Sequence, residues 1–399
     1  MKSKRKAAHV AVYVLVFLLV LTLLLVPSLK QGDAEVVSAP PPRPLVPRDS
    51  LRIITPELIE DAGLTIDWGL QEYIANTLER YQVGFAAVTV LDPRTGEILA
   101  LYGRDSSGED CRLGLNAYLA ASLFKLVTAT AAIDYAGMSA DTPCTYTGRA
   151  HTLYRSQLFS ENRRWERTIS LARAFASSNN VVFGKLGACE LGVEPLLLAA
   201  MRLGFWQLPM MDCESSPSTL FFPDDDYRLA ELASGFNRET RVSPVHAAQI
   251  AGAVLNGGTM VSPRILRSSP VAVRRVLSPD TARNLEAMML QTVKSGTVSG
   301  AFRSARHDRV LRSLSIGAKS GTIKGTSPDG KRIWFMGFAQ DPGTGEAISI
   351  GCLIIRGDYY RIQSDDLAKR IIRFHFSRPV SVASRTVDNA VSGSEQAAF

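Results

Sequence analysis

Residues 84–103 read GFAAVTVLDPRTGEILALYG, two apolar runs broken at Asp92-Pro93-Arg94-Thr95-Gly96. Alternation on either side of a turn made of Asp, Pro and Gly predicts two antiparallel strands. The signature returns after Ser315, where IWFMGFAQ (333–340) and AISIGCLIIRG (347–357) flank a turn at Asp341-Pro342-Gly343-Thr344-Gly345-Glu346. A closing helix is expected from Ser364 to Phe376. Between these ends, from about Tyr118 to Arg283, segments such as SLFKLVTATAAIDYAG and VHAAQIAGAVLNGG carry helical patterning with Gly and Pro punctuation. Strands at both ends and helices between predict one α+β domain, with an antiparallel sheet completed by N- and C-terminal segments around an α-rich middle. No internal repeat is present.

The chain of 399 residues, 46% hydrophobic and 21% charged, is too apolar for disorder and long enough for one large domain or two ordinary ones. Residues 7–26, AAHVAVYVLVFLLVLTLLLV, contain no Lys, Arg, Asp or Glu. A helix of about 20 such residues crosses a hydrocarbon core, so a single-pass transmembrane anchor is expected over residues 7–27. The following VPSLKQGDAEV lacks the small-residue pattern of a cleavage site, which favours an anchor that is retained. Lys2, Lys4, Arg5 and Lys6 precede the span, so residues 1–6 form a cytoplasmic basic tail and the remainder lies outside the cytoplasmic membrane. That cluster explains much of the formal charge of +7, and no nucleic-acid partner is inferred. Residues 28–50, with APPPRPLVPRDS, are expected to be an extended Pro-rich linker, residues 51–378 the folded domain, and residues 379–399 a small, polar, disordered tail.

Chemistry concentrates in three short stretches. Ser122-Leu123-Phe124-Lys125 opens an apolar helical segment, so Ser122 and Lys125 fall one turn apart on one face. A serine hydroxyl becomes a useful nucleophile when a lysine of lowered pKa removes its proton. The spacing alone is weak, since Ser3 and Lys6 repeat it in the basic tail. Ser178-Asn179-Asn180 offers a hydroxyl and a carboxamide to move a proton and hold an amide. Lys319-Ser320-Gly321-Thr322 leads into the C-terminal hairpin, where a strand can bind a carboxylate and Gly321 can let backbone approach a ligand. Lys294-Ser295-Gly296-Thr297 repeats those letters after the helix TARNLEAMMLQTV, with no strand pair following, and reads as a chance copy. Ser160-Glu161-Asn162 and Ser177-Ser178-Asn179 repeat the S-x-N pattern, and the residues alone leave Ser177 and Ser178 as alternatives.

Taken together, LTIDWGLQ, AVTVLDPRTGEILAL, SLFKL, SNNVVFGKLG, ELASGFNRETRVSPVHAAQIAGAVLNGGTMVSPRIL and AKSGT with its WFMGF resemble the transpeptidase domain of penicillin-binding proteins, from about Gly63 to Phe376. The resemblance implies the penicillin-binding and β-lactamase-like fold and a serine D,D-transpeptidase of peptidoglycan biosynthesis. It selects Ser178 and Asn180 as the S-x-N pair, with Phe183 as the aromatic that follows. It assigns Ser122 as the acylated nucleophile, Lys125 as its base, Ser178 and Asn180 as the proton-relay and substrate-holding pair, and Lys319, Ser320 and Thr322 as carboxylate binders. The oxyanion hole would be the backbone N–H groups of Ser122 and Thr322. Peptidoglycan stem peptides, β-lactam antibiotics, the cytoplasmic membrane and other cell-wall synthesis proteins are the implied partners, with no cofactor and no metal. YLAAS before the nucleophile and Ser320 in place of a commoner threonine depart from the family's usual pattern without removing a functional group. The short stretch between span and domain leaves no room for a glycosyltransferase domain or a pedestal. Competing readings are a D,D-carboxypeptidase or β-lactamase-like hydrolase, in which water resolves the acyl-enzyme, and a non-catalytic scaffold.

The remaining reactive side chains carry structural expectations. His9, His151, His246, His307 and His375 are scattered, and Arg163-Arg164 and Arg274-Arg275 read as solvated surface. Asp224-Asp225-Asp226 reads as a loop without calcium. Cys111, Cys144, Cys189, Cys213 and Cys352 are odd in number and lack metal-site spacing, with Cys352 placed in a buried strand.

Overall fold

The computed structural model describes residues 46–160, 164–208, 210–356 and 362–378. The basic tail, the anchor expected over residues 7–27 and the tail at 379–399 lie outside the described residues. Among the described residues no helix is long and apolar enough to cross a membrane.

The hairpin of residues 84–103 forms as strands β1 (Ala86–Leu91) and β2 (Ile98–Asp105), and a two-residue strand β3 (Gly108–Glu109) pairs beyond β2. The C-terminal strands are β4 (Ser315–Thr326), β5 (Asp329–Gln340) and β6 (Ala347–Arg356). They join the first hairpin through β1 against β6, with Val88 opposite Cys352, giving the order β4-β5-β6-β1-β2-β3 in one antiparallel sheet. The expected union of N- and C-terminal strands is thus the backbone of the fold.

Helices cover both faces, which is why β1 and β6 are buried almost throughout rather than alternating. Helix α1 (Trp68–Arg80) and the last helix, which spans Ser364–Ser377, pack on one face with the core of Leu70, Ile74, Phe335, Ile371 and Ile372. The other face carries the α-rich middle. Its helices include α2 (Lys125–Ala136), α3 (Leu171–Ala176), α4 (Asn180–Lys185), α5 (Asp226–Ser234), α6 (Pro244–Leu255) and α7 (Pro279–Ser295). Pro at the first helical position and a Ser N-cap start α6 and α7, with Ser243 and Ser278 accepting from the N–H groups of His246 and Thr281.

Two features differ from the sequence reading. The helical middle also holds three small ribbons: Tyr118–Leu119 with Arg241–Val242, Pro143–Tyr146 with Arg167–Ser170, and Thr259–Val261 with Val273–Arg275. Strands this short carry no usable period. The end of the Pro-rich stretch is also packed, not extended. Val46 donates its N–H to the Asp212 carbonyl at 2.8 Å, and a 3₁₀ turn over Arg48–Leu51 buries Leu51 completely.

Candidate active site

A short ribbon aims the nucleophile. Ala120 donates its N–H to the Thr240 carbonyl at 2.9 Å, and Trp334 Nε1 on β5 donates to the Leu119 carbonyl at 2.8 Å. Sheet and ribbon therefore fix the chain immediately before Ser122. Ala121 sits at φ +49°, a left-handed conformation that costs an L-residue about 1–2 kcal/mol. One 3₁₀ turn over Ala121–Phe124 then runs into α2, so Ser122 and Lys125 lie one turn apart.

Two glycines let neighbouring elements close on this turn. Gly235, at φ +64°, ends α5 where a Cβ would sit 2.0 Å from the Ala121 carbonyl oxygen. A Cβ on Gly321 would sit 3.3 Å from the Ser122 nitrogen. Gly321, expected from the sequence to let backbone approach a ligand, also lies close against the nucleophile's own backbone.

Lys125 is completely buried, with Nζ 2.8 Å from Ser122 Oγ, 2.8 Å from Asn180 Oδ1, and hydrogen-bonded to the Ser234 carbonyl. Desolvation, and then the charge of Lys319, hold Lys125 well below the usual lysine range. The neutral amine has two N–H donors and one lone pair. Asn180 Oδ1 and the Ser234 carbonyl can only accept, so they take the two donors and leave the lone pair for the Ser122 proton. The Asn180 amide is oriented by its own Nδ2, which donates to the His151 carbonyl at 3.0 Å.

Lys319 on β4 is equally buried, and burial pushes it down to about 7. Its Nζ lies 3.1 Å from Ser178 Oγ and 2.7 Å from the Ser320 carbonyl. The rings of Phe183 and Phe175 lie 5.7 Å from Lys125 Nζ and 5.5 Å from Lys319 Nζ. Ser178, at φ +55°, turns its hydroxyl inward, whereas Ser177 donates back to the Arg173 carbonyl at 2.8 Å. Asn179 caps α4 by accepting from the Val182 N–H at 3.1 Å. Of the two S-x-N frames, the structure brings Ser178 and Asn180 to the lysines.

Ser320 is half-buried and Thr322 exposed on β4, an outer strand of the sheet. The apparent chance copy at 294–297 is not a strand, but it is not remote either. It ends α7, the Thr297 N–H donates to the Ala176 carbonyl at 3.0 Å, and Thr297 Oγ1 lies 2.5 Å from Ser320 Oγ. Thr297, the carbonyls of Ser234 and His151, and Gly235 are the parts of the site that motif reading passed over.

Outside the site, His246 Nε2 donates to the Leu203 carbonyl at 2.7 Å, so Nδ1 accepts from Ser218 Oγ at 2.6 Å. Burial pushes this imidazole down to about 4, a neutral structural histidine. Asp225, expected in a loop, caps α5 through the Arg228 N–H at 2.7 Å. All five cysteines are free thiols, and Cys189 is exposed.

A family model described as the penicillin binding protein transpeptidase domain matches residues 86–372. Stage V sporulation protein D of Bacillus subtilis is 24% identical over 320 residues, 71% of this chain and 48% of that protein. Peptidoglycan D,D-transpeptidase PbpA of Mycolicibacterium smegmatis is 27% identical over 259 residues, 58% of this chain and 50% of that protein. The chain thus spans about half the length of these curated relatives. Among solved structures, the ceftriaxone acyl-enzyme complex of penicillin-binding protein A from M. tuberculosis superposes with a TM-score of 0.62 at 23% identity, covering 79% of each chain. That likeness speaks for the fold.

Proposed function

The chain belongs to the penicillin-binding protein transpeptidase family, and on that premise we propose that it is a peptidoglycan D,D-transpeptidase, held at the outer face of the cytoplasmic membrane by residues 7–27. The observation that carries this reading is the buried lysine whose lone pair is left for the Ser122 proton.

Neutral Lys125 takes the Ser122 hydroxyl proton as Oγ attacks the carbonyl carbon between two D-alanines. The backbone N–H groups of Ser122 and Thr322 hold the oxyanion, each such donor being worth about 2.7–4 kcal/mol in the transition state. Collapse breaks the C–N bond, and the proton passes from Lys125 through Ser178 to the departing D-alanine amine. Ser320 and Thr322 hold that residue's carboxylate, beside Lys319. An amine from a neighbouring stem peptide then attacks the ester, gives up a proton to Lys125, forms the new amide and releases Ser122. Oγ recovers the proton, so enzyme groups end as they began.

The test is incubation of the full chain with a D-Ala-D-Ala peptide and an amine acceptor, followed by mass spectrometry of the products. A new amide between donor and acceptor is expected. Release of D-alanine with hydrolysed donor alone would move the carboxypeptidase reading forward, and no reaction would favour the scaffold.

A further inference from the structure

A cavity of about 700 Å³ opens between the end of α7, the segment 299–314 and the first residues of β4, Ser315 and Ile316. Lys294 and Ser299, which bracket Thr297 in the chain, line it, and Thr297 is the residue that meets Ser320. Leu290, Val293 and Phe302 give it an apolar wall. Lys294, Arg303, Arg306 and Arg312 also line it, all exposed, and none has an ion-paired or hydrogen-bonded side chain among the described residues. Among the described residues no carboxylate pairs with them. Asp308, the single acid in residues 287–314, accepts from Arg373 Nε at 2.7 Å and from the N–H groups of Val310 and Leu311. Four uncompensated cations around a concave, partly apolar site focus a positive potential on an anionic ligand.

The direction of β4 says which ligand. On the transpeptidase reading, the leaving D-alanine is the residue whose carboxylate Ser320 and Thr322 hold. The resolving amine must enter where that residue has left. From Ser320 back to Ile316 is about 13 Å of strand, so a chain entering past Ser320 and Thr297 runs over the cavity. We propose that this cavity is the acceptor subsite, and that it takes an amine-bearing peptide with free carboxylates, paired with Arg303, Arg306 and Arg312. Guanidinium groups suit this because they meet carboxylates bidentately. The proposal rests on the transpeptidase reading for the identity of its ligand.

The probe is alanyl-glutamyl-lysyl-alanine, compared with the same peptide fully amidated at its carboxyl groups, in equilibrium binding to the full-length Ser122→Ala chain. Tighter binding of the free acid by about tenfold or more is expected, with most of that preference lost in a chain also carrying R303A, R306A and R312A. Equal binding of the two peptides, or a preference that survives the triple substitution, would overturn the proposal. Penicillin adduct formation on the wild-type chain is scored separately. An adduct without peptide discrimination removes the acceptor subsite and leaves the transpeptidase reading standing. Discrimination without an adduct removes the transpeptidase reading and keeps the cavity as an anionic-peptide site.

Discussion

Lys125 Nζ and Asn180 Oδ1 lie 2.8 Å apart, buried together although α2 and α4 supply them separately. The contact gives one lysine hydrogen a fixed destination, and with the Ser234 carbonyl it decides where the lone pair points. Acylation should therefore rise with pH through the lowered pKa of Lys125, well below that of a free lysine. Asn180→Asp places a carboxylate where the amide oxygen was, which favours the ammonium form and raises that pKa. Penicillin acylation near pH 7 should fall by about tenfold or more, with the rising limb moved to higher pH. An unshifted limb would detach Asn180 from the lysine.

Ser177 and Ser178 provide a matched pair. Ser178→Ala should slow acylation by about 100-fold, because it removes the hydroxyl that Lys319 Nζ holds at 3.1 Å and that, on the proposed mechanism, relays the proton to the leaving group. Ser177→Ala removes a hydroxyl bonded to the Arg173 carbonyl and should stay within about twofold of wild type by the same assay. Reversed sensitivities would exchange the two frames.

Gly235→Ala tests the closure of α5 on the nucleophile turn. Its Cβ would meet the Ala121 carbonyl oxygen at 2.0 Å, and φ is +64°, so backbone must move. Acylation should drop by more than about 100-fold, while thermal melting should fall by only a few degrees, about what 1–2 kcal/mol produces in a domain of this size. Melting lowered without loss of acylation would make the glycine a purely structural need.

Lys319 links the site to stability. Its folded-state pKa of about 7 lies below the ordinary 10.5, so between those values the unfolded chain binds more protons than the folded one. Stability from this group accordingly rises with pH across that window and is level below it. The Cys thiols, raised by burial, act in the opposite sense above about pH 9. Urea unfolding between about pH 7 and 9 should show wild type gaining stability relative to Lys319→Gln as pH rises. Parallel curves would mean that Lys319 titrates as an ordinary surface lysine.

Much of the fold was legible because its strands are long and its turns carry Asp, Pro and Gly. Residues 84–103 and 333–357 announce hairpins, and β1 against β6 follows once both must hide an apolar face. The two-residue ribbon at Tyr118–Leu119, which aims Ser122, has no pattern to read. In the site, Ser122, Lys125 and Lys319 are legible from chemistry and context together, because the serine-lysine spacing recurs at Ser3 and Lys6 and only the hairpin after Lys319 separates it from the copy at Lys294. The choice of Ser178 over Ser177 needed the family resemblance, since S-S-N-N fits two frames. The carbonyls of Ser234 and His151 are invisible to motif reading, because any residue carries a carbonyl there. Thr297 was hidden for another reason: it sits in a copy of the strand motif, yet it works from the end of a helix.

The most direct test is intact-mass spectrometry of the full chain after exposure to a penicillin, repeated with Ser122→Ala and followed over time. A single adduct that persists in wild type and is absent from Ser122→Ala is the expected result. No adduct on a folded wild-type chain, or an adduct that survives Ser122→Ala, would contradict Ser122 as the acylated nucleophile.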